Sequence, residues 1–177
     1  PARTPDFVYS HAIQGIAVSL SESEAAQMAN ALGVKSVEPD MEITLNLPHA
    51  NAKPAKPTPT SPAQTVPWGI TRVGGGTDQT YTGKAWVIDT GIDYTHPDLN
   101  VNKTLAKTFV ARTTTANDDN GHGSHCAGII GAIDNEEGVA GIAAGVELVP
   151  VKVLDRRGSG ALSVVIEGVD YVAEAAA

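Results

Sequence analysis

Proline at nearly every second or third position between Lys53 and Pro62 is the feature that most limits how this chain can fold. Proline has no N–H to give to a ladder and its φ is fixed, so such a run stays extended and solvated. Lys53-Pro54-Ala55-Lys56-Pro57-Thr58-Pro59-Thr60-Ser61-Pro62 therefore reads as the heart of a linker, 49–62, between a first part, 1–48, and a second, 63–177. Hydrophobic residues at 42% and charged residues at 18% are ordinary for a globular chain and argue against disorder.

In the first part, Phe7-Val8-Tyr9 and Gly15-Ile16-Ala17-Val18-Ser19-Leu20 predict two short strands. Ser21-Glu22-Ser23-Glu24 has the spacing of a capping box, and Ala25, Met28, Ala29 and Leu32 follow at helical spacing until Gly33. Val34 to Leu45 returns to extended character, bent at Pro39. A unit of strand, strand, helix and strand has little core and needs something to lean on.

The second part alternates strands with helices, which predicts a parallel sheet with ligands beyond the strand C-termini. Lys84-Ala85-Trp86-Val87-Ile88 is a buried strand running into Asp89-Thr90-Gly91, and Asn120-Gly121-His122-Gly123 opens a helix. Glu147 to Leu154 forms a second apolar strand, and Gly158-Ser159-Gly160 precedes a helix with Val164, Val165, Val169 and Val172 on its apolar side.

A net charge of -8 without a basic stripe makes nucleic acid and anionic membrane poor partners. Cys126 is the single cysteine, so no internal disulfide forms, and no run approaches a membrane span. There is no initiator Met or leader pattern, and the last residues continue a helical pattern, so both ends read as cut.

An Asp at a strand end can fix one ring nitrogen of a His. The other nitrogen can then take a proton from a serine hydroxyl, a nucleophile too weak unaided. Asp89 and His122 offer this pair, though singly each is as readily a turn residue or a cap. The wording around them is more specific. Val87-Ile88-Asp89-Thr90-Gly91-Ile92-Asp93-Tyr94-Thr95-His96-Pro97-Asp98-Leu99 resembles the Asp motif of the subtilisin-like serine proteases. Gly121-His122-Gly123-Ser124-His125-Cys126-Ala127-Gly128 is similar to their His motif, with Ser124 and Cys126 as mild departures. Val151-Lys152-Val153-Leu154 with Gly158-Ser159-Gly160 resembles their substrate-binding segment.

The resemblance implies an α/β fold, a doubly wound parallel sheet present in part, preceded by a partial ferredoxin-like α+β propeptide. It implies that Asp89 and His122 are catalytic, in a serine-type endopeptidase precursor. Gly158, Ser159 and Gly160 match the edge strand that pairs with an extended peptide, and Leu154 and Leu162 match subsite side chains. The nucleophilic serine and the oxyanion Asn have no counterpart here; Ser124, Ser159 and Ser163 stand in the wrong contexts. By the same resemblance those missing groups lie beyond Ala177, and the fragment alone is inactive.

Ala63-Gln64-Thr65-Val66-Pro67-Trp68-Gly69 resembles a mature bacterial subtilisin N-terminus. The matching calcium ligands are Gln64, Asp98 and Asn135 with the carbonyls of Ile133, Glu137 and Val139, an all-oxygen set suited to Ca²⁺. Residues 1–48 resemble the propeptide, whose first strand and helix would precede Pro1, with a cut expected just before Ala63. Implied partners are peptide or protein substrates, the chain's own propeptide as intramolecular inhibitor, and the remaining C-terminal half of the catalytic domain. Implied localisation is secreted.

Three other readings compete. Asp-Thr-Gly also marks aspartic proteases, but no second copy occurs to share a proton. His122, His125, Asp118 and Asp119 could form a hydrolytic metal site, though no His-Glu-x-x-His is present. A non-catalytic, propeptide-like inhibitor or binding module fused to an inactive protease half is the reading from another class.

Overall fold

A computed structural model describes residues 3–45, 63–77 and 79–177. The linker 49–62 and the expected cut before Ala63 lie outside or at the edge of these residues.

The core of the second part is a parallel sheet in the order β4-β6-β5, with β4 at Lys84–Asp89, β6 at Glu147–Lys152 and the two-residue β5 at Lys107–Thr108. The central strand β6 is buried at every position after Glu147, as expected of a strand covered on both faces. Side chains alternate across β4. Val87 joins Leu148 and Ala127 on one face, under helix α3 (His122–Gly131). Trp86 and Ile88 join Val151, Val164 and Val172 on the other, under helix α4 (Leu162–Ala175). Helices on both faces make the arrangement doubly wound.

The first part contains a two-stranded antiparallel ribbon, β1 (Phe7–Tyr9) with β2 (Gly15–Ala17), and helix α1 (Glu22–Ala29). Ser21 caps α1 in the expected box, with Glu24 answering to the Ser21 backbone. The helix stops three residues before the expected end. Asn30 folds its side chain back onto the Ala26 carbonyl, and Leu32 stands in solvent. The extended segment from Val34 narrows to one short strand, β3 (Glu42–Thr44), and its partner is not the small unit. It pairs antiparallel with β7 (Ser159–Ala161) of the second part. The short helix α2 (Trp68–Arg72) was not predicted; it is five residues long and starts directly after Pro67.

The first part does lean on the second, through the β3–β7 pairing and through α4. Tyr9, 5% exposed, donates its hydroxyl to the Ser163 carbonyl at 2.9 Å. Burial, then the charges of Glu167, Asp40 and Asp170, push the Tyr9 pKa up to about 12. Asp170 accepts the backbone N–H groups of Ser10, His11 and Ala12 at 3.0, 2.8 and 2.6 Å. Burial opposes its charge, but these donors outweigh that and hold its carboxyl far below the usual range.

Candidate active site

Asp89 is the last residue of β4, at the C-terminal edge of the parallel sheet where such folds place their ligands. The Thr90 N–H donates to its Oδ1 at 2.6 Å, and His122 Nδ1 lies 2.8 Å from both carboxylate oxygens. A ring nitrogen between two acceptors carries the proton, which leaves Nε2 as the basic atom. Among the described residues Nε2 makes no hydrogen bond to nitrogen or oxygen; its neighbour is Cys126 Sγ at 3.8 Å.

His122 opens α3, and the N-cap position is Gly121 at φ 105°, which has no side chain to cap with. Asp118 does that work from outside. Its oxygens accept the N–H groups of Asn120, Gly121 and Ser124 and the hydroxyls of Ser124 and Thr90, at 2.6–3.0 Å. Burial disfavours its charge, yet these bonds win and hold its carboxyl below the usual range. Gly123 brings α3 against the turn after β4: a Cβ there would run into the Gly91 carbonyl, and its N–H donates to Thr90 Oγ1 at 2.9 Å. The two catalytic candidates are thus held together by a close backbone approach and a backbone to side-chain hydrogen bond.

One contributor escaped the sequence reading. Lys152, 1% exposed, donates to the Thr90 carbonyl at 2.5 Å, Asp119 Oδ1 at 2.7 Å and the Leu154 carbonyl at 2.9 Å. It ties the turn after Asp89 to the segment that leads into β7. Its signal was present, as a lone charge inside the apolar run from Leu148 to Leu154.

The five residues expected along the substrate lie against β3 or the residues that flank it, Met41 and Leu45. Ser159 faces Thr44 and Gly160 faces Ile43 in the antiparallel register, and Ser159 Oγ lies 3.0 Å from Thr44 Oγ1. The Gly158 carbonyl accepts the Leu45 N–H at 3.0 Å, and the Leu162 N–H donates to the Met41 carbonyl at 2.7 Å. Leu154 is a core residue, 5% exposed, with the Leu45 side chain packed against its cluster. Running toward Leu45, β3 passes from the start of α4 toward Gly158 and the Leu154 loop, whose N–H donates to the Asp89 carbonyl.

The six positions expected for calcium also converge. Asn135 Nδ2 donates to Asp98 Oδ1 at 2.8 Å, Gln64 Nε2 donates to the Ile133 carbonyl at 3.3 Å, and the Ile133 N–H donates to the Asp98 carbonyl. Ala63 bridges Glu137, and Thr65 bridges Val139. One carboxylate, two amides and three carbonyls are a donor set that fits a hard cation. Gln64 turns its N–H toward a neighbouring carbonyl, so rotation of its amide would present its oxygen to an ion, whereas Asn135 Oδ1 already accepts the Glu137 N–H at 2.7 Å.

The rival metal set does not assemble. Asp118 spends its oxygens on α3, Asp119 holds Lys152, and His125 faces solvent. The one ligand-type cluster among the described residues is Asp89, His122 and Cys126. Its sulfur is almost equidistant from both ring nitrogens, at 3.9 and 3.8 Å, which places it off the lone-pair direction of either. Burial, then the charges of Asp89 and Asp118, raise the Cys126 thiol and disfavour its thiolate.

Comparison with known proteins shows the family. Residues 86–177 match the subtilase family of peptidases, and residues 5–46 match the peptidase inhibitor I9 family. A cuticle-degrading protease of Metarhizium anisopliae is 35% identical over 96% of this chain and 41% of its own length. Subtilisin Savinase of Lederbergia lenta is 45% identical over 62% of this chain and 41% of its own length. The crystal structure of a cold-adapted subtilisin-like serine proteinase superposes with a TM-score of 0.51 at 33% identity, over 62% of this chain and 42% of that one. The chain spans about two fifths of the length of the curated relatives it matches.

Proposed function

Because this chain belongs to the subtilase family, we propose that it is part of a serine endopeptidase precursor in which Asp89 orients His122 and His122 activates a serine. The observation that carries the reading is the Asp89–His122 contact at 2.8 Å, on the same edge as a peptide strand already paired to β7. With Nδ1 committed to the carboxylate, Nε2 is the atom that would take the serine proton and return it to the leaving amine.

The three serines of residues 63–177 serve elsewhere. Ser124 Oγ bonds Asp118, Ser163 Oγ bonds Asp40, and Ser159 Oγ meets Thr44. On this reading the nucleophile and oxyanion donors would belong to other residues of the complete protein. Residues 5–46 would be its inhibitory propeptide, with β3 lying in the cleft as a bound peptide. Its substrates would be extended peptides that pair with Gly158, Ser159 and Gly160 and seat side chains near Leu154 and Leu162. Gln64, Asp98, Asn135 and the carbonyls of Ile133, Glu137 and Val139 would hold a structural calcium ion, whose charge would lock the N-terminal segment to the loop after α3. Secretion goes with this reading; among the described residues no helix is long and apolar enough to cross a membrane.

The test uses the complete precursor. His122→Ala should stop self-cleavage, read by gel and by mass of the processed product, since losing a triad member removes most of the rate. Normal processing by the variant would overturn the assignment of His122, and absence of a serine nucleophile in the complete protein would favour the inhibitor-module reading.

A further inference from the structure

The seat for β3 does not end with β7. Just after the Leu162 N–H to Met41 carbonyl bond, Ser163 donates its N–H at 2.9 Å and its hydroxyl at 2.6 Å to the two carboxylate oxygens of Asp40. Ser163 is 9% exposed and lies in the first turn of the 14-residue α4. The helix's own N-cap residue, Ala161, makes no side-chain cap bond. The cap is supplied by a carboxylate from the other part of the chain, which combines a helix N-terminus with a buried hydroxyl donor.

We propose that the first turn of α4 around Ser163 is an acid-recognising subsite at the far end of the cleft. Asp40 fills it here; after Asp40 leaves, it takes an Asp or Glu of an extended peptide substrate or inhibitor. The inference rests on reading β7 as a peptide-binding edge. The register fixes the ligand pattern. Asp40 stands three residues before Ile43, which faces Gly160, and five before Leu45, whose N–H reaches Gly158. The matching peptide is extended, with an acidic residue followed by apolar residues three and five places later.

Two acidic groups on α4 act against such a ligand. Glu167 and Asp170 lie four and seven residues beyond Ser163, about 6 and 10 Å along the axis. The farther is about one Debye length away in ordinary buffer, so they weaken the preference without reversing it. Asp40 already binds in their presence.

The experiment uses the complete, matured protein and internally quenched peptides with the sequence of residues 38–49, carrying Asp, Asn or Ala at the Asp40 position. The Asp peptide should exceed the Asn peptide about five- to tenfold in kcat/KM, mainly through KM, and Ser163→Ala should reduce that ratio to about twofold. Fluorescence anisotropy of labelled peptides spanning residues 38–45 gives the same ratio without chemistry. A ratio near one, or a ratio that Ser163→Ala leaves unchanged, would overturn the subsite. Preferential binding of the Asp peptide by a protein that cleaves none would keep the subsite and sink the proteolytic reading instead.

Discussion

Replacing Lys152 with Met tests whether this buried ammonium holds the turn after Asp89 in place. Met keeps most of the volume and removes all three donors. The Thr90 and Leu154 carbonyls, at residues 0% and 5% exposed, would then lose a partner in a place water does not reach. Each buried polar group left unpaired costs about 1–3 kcal/mol. Asp119, whose side chain is 47% exposed, can turn to water and adds little. Relief from burying a charge returns part of the loss, so the net cost should be about 2–4 kcal/mol. In a chain of this size that lowers Tm by about 5–15 °C. Urea unfolding followed by tryptophan fluorescence, with Trp86 on β4 as a reporter, would measure it. Asp119→Ala serves as the control and should cost no more than about 1 kcal/mol. A Lys152→Met protein within about 1 kcal/mol of the parent would refute the reasoning.

Three further outcomes are expected. Glu167 Oε2 is buried without a hydrogen-bond partner, and burial, then the Asp170 charge, raise its pKa, with Lys107 opposing. A carboxyl raised on folding stabilises fully below its ordinary pKa and loses that contribution as pH rises through the folded value. Tm should therefore fall from this source above the ordinary carboxyl range, and Glu167→Gln should flatten that part of a Tm-against-pH profile. Calcium at a hundredfold excess over its Kd should stabilise by about 2.7 kcal/mol; unchanged unfolding after chelation, or an undiminished gain in Asp98→Ala, would remove the site. Gly123→Ala should destabilise by about 3 kcal/mol or more, because the Gly91 carbonyl occupies the space for its Cβ. Gly128→Ala, with nothing within 4 Å of its Cβ, should be neutral or slightly stabilising, and equal effects in the two variants would contradict the close approach of α3.

Asp89 and His122 were legible because each sits in a local motif, and the helix and strand beside it follow from short-range patterning. The capping box at Ser21 and the apolar run of β6 were readable for the same reason. The pairing of β3 with β7 was not, since Thr44 and Ser159 are 115 residues apart and nothing local to either names the other. Extended character was visible from Val34 to Leu45, but what it would pair with depends on the assembled edge. Helix α2 and strand β5 are five and two residues long, too short for a period to show. Lys152, Asp118 and Asp170 owe their roles to burial and to donors gathered from several segments, which a linear pattern does not encode.

The way Asp170 grips the first part bears on how such a pair of segments can evolve. It takes three consecutive main-chain N–H groups, and every residue type but proline supplies those. Residues 10 and 12 are therefore free to drift in sequence without loosening the grip, and a change at His11 forfeits only its ring contact to Asp170 Oδ2 at 3.3 Å, while a change at position 170 is felt by all of these bonds together. The recognition is stored almost wholly on the α4 side, so the segment it holds can accumulate substitutions faster than the surface that holds it.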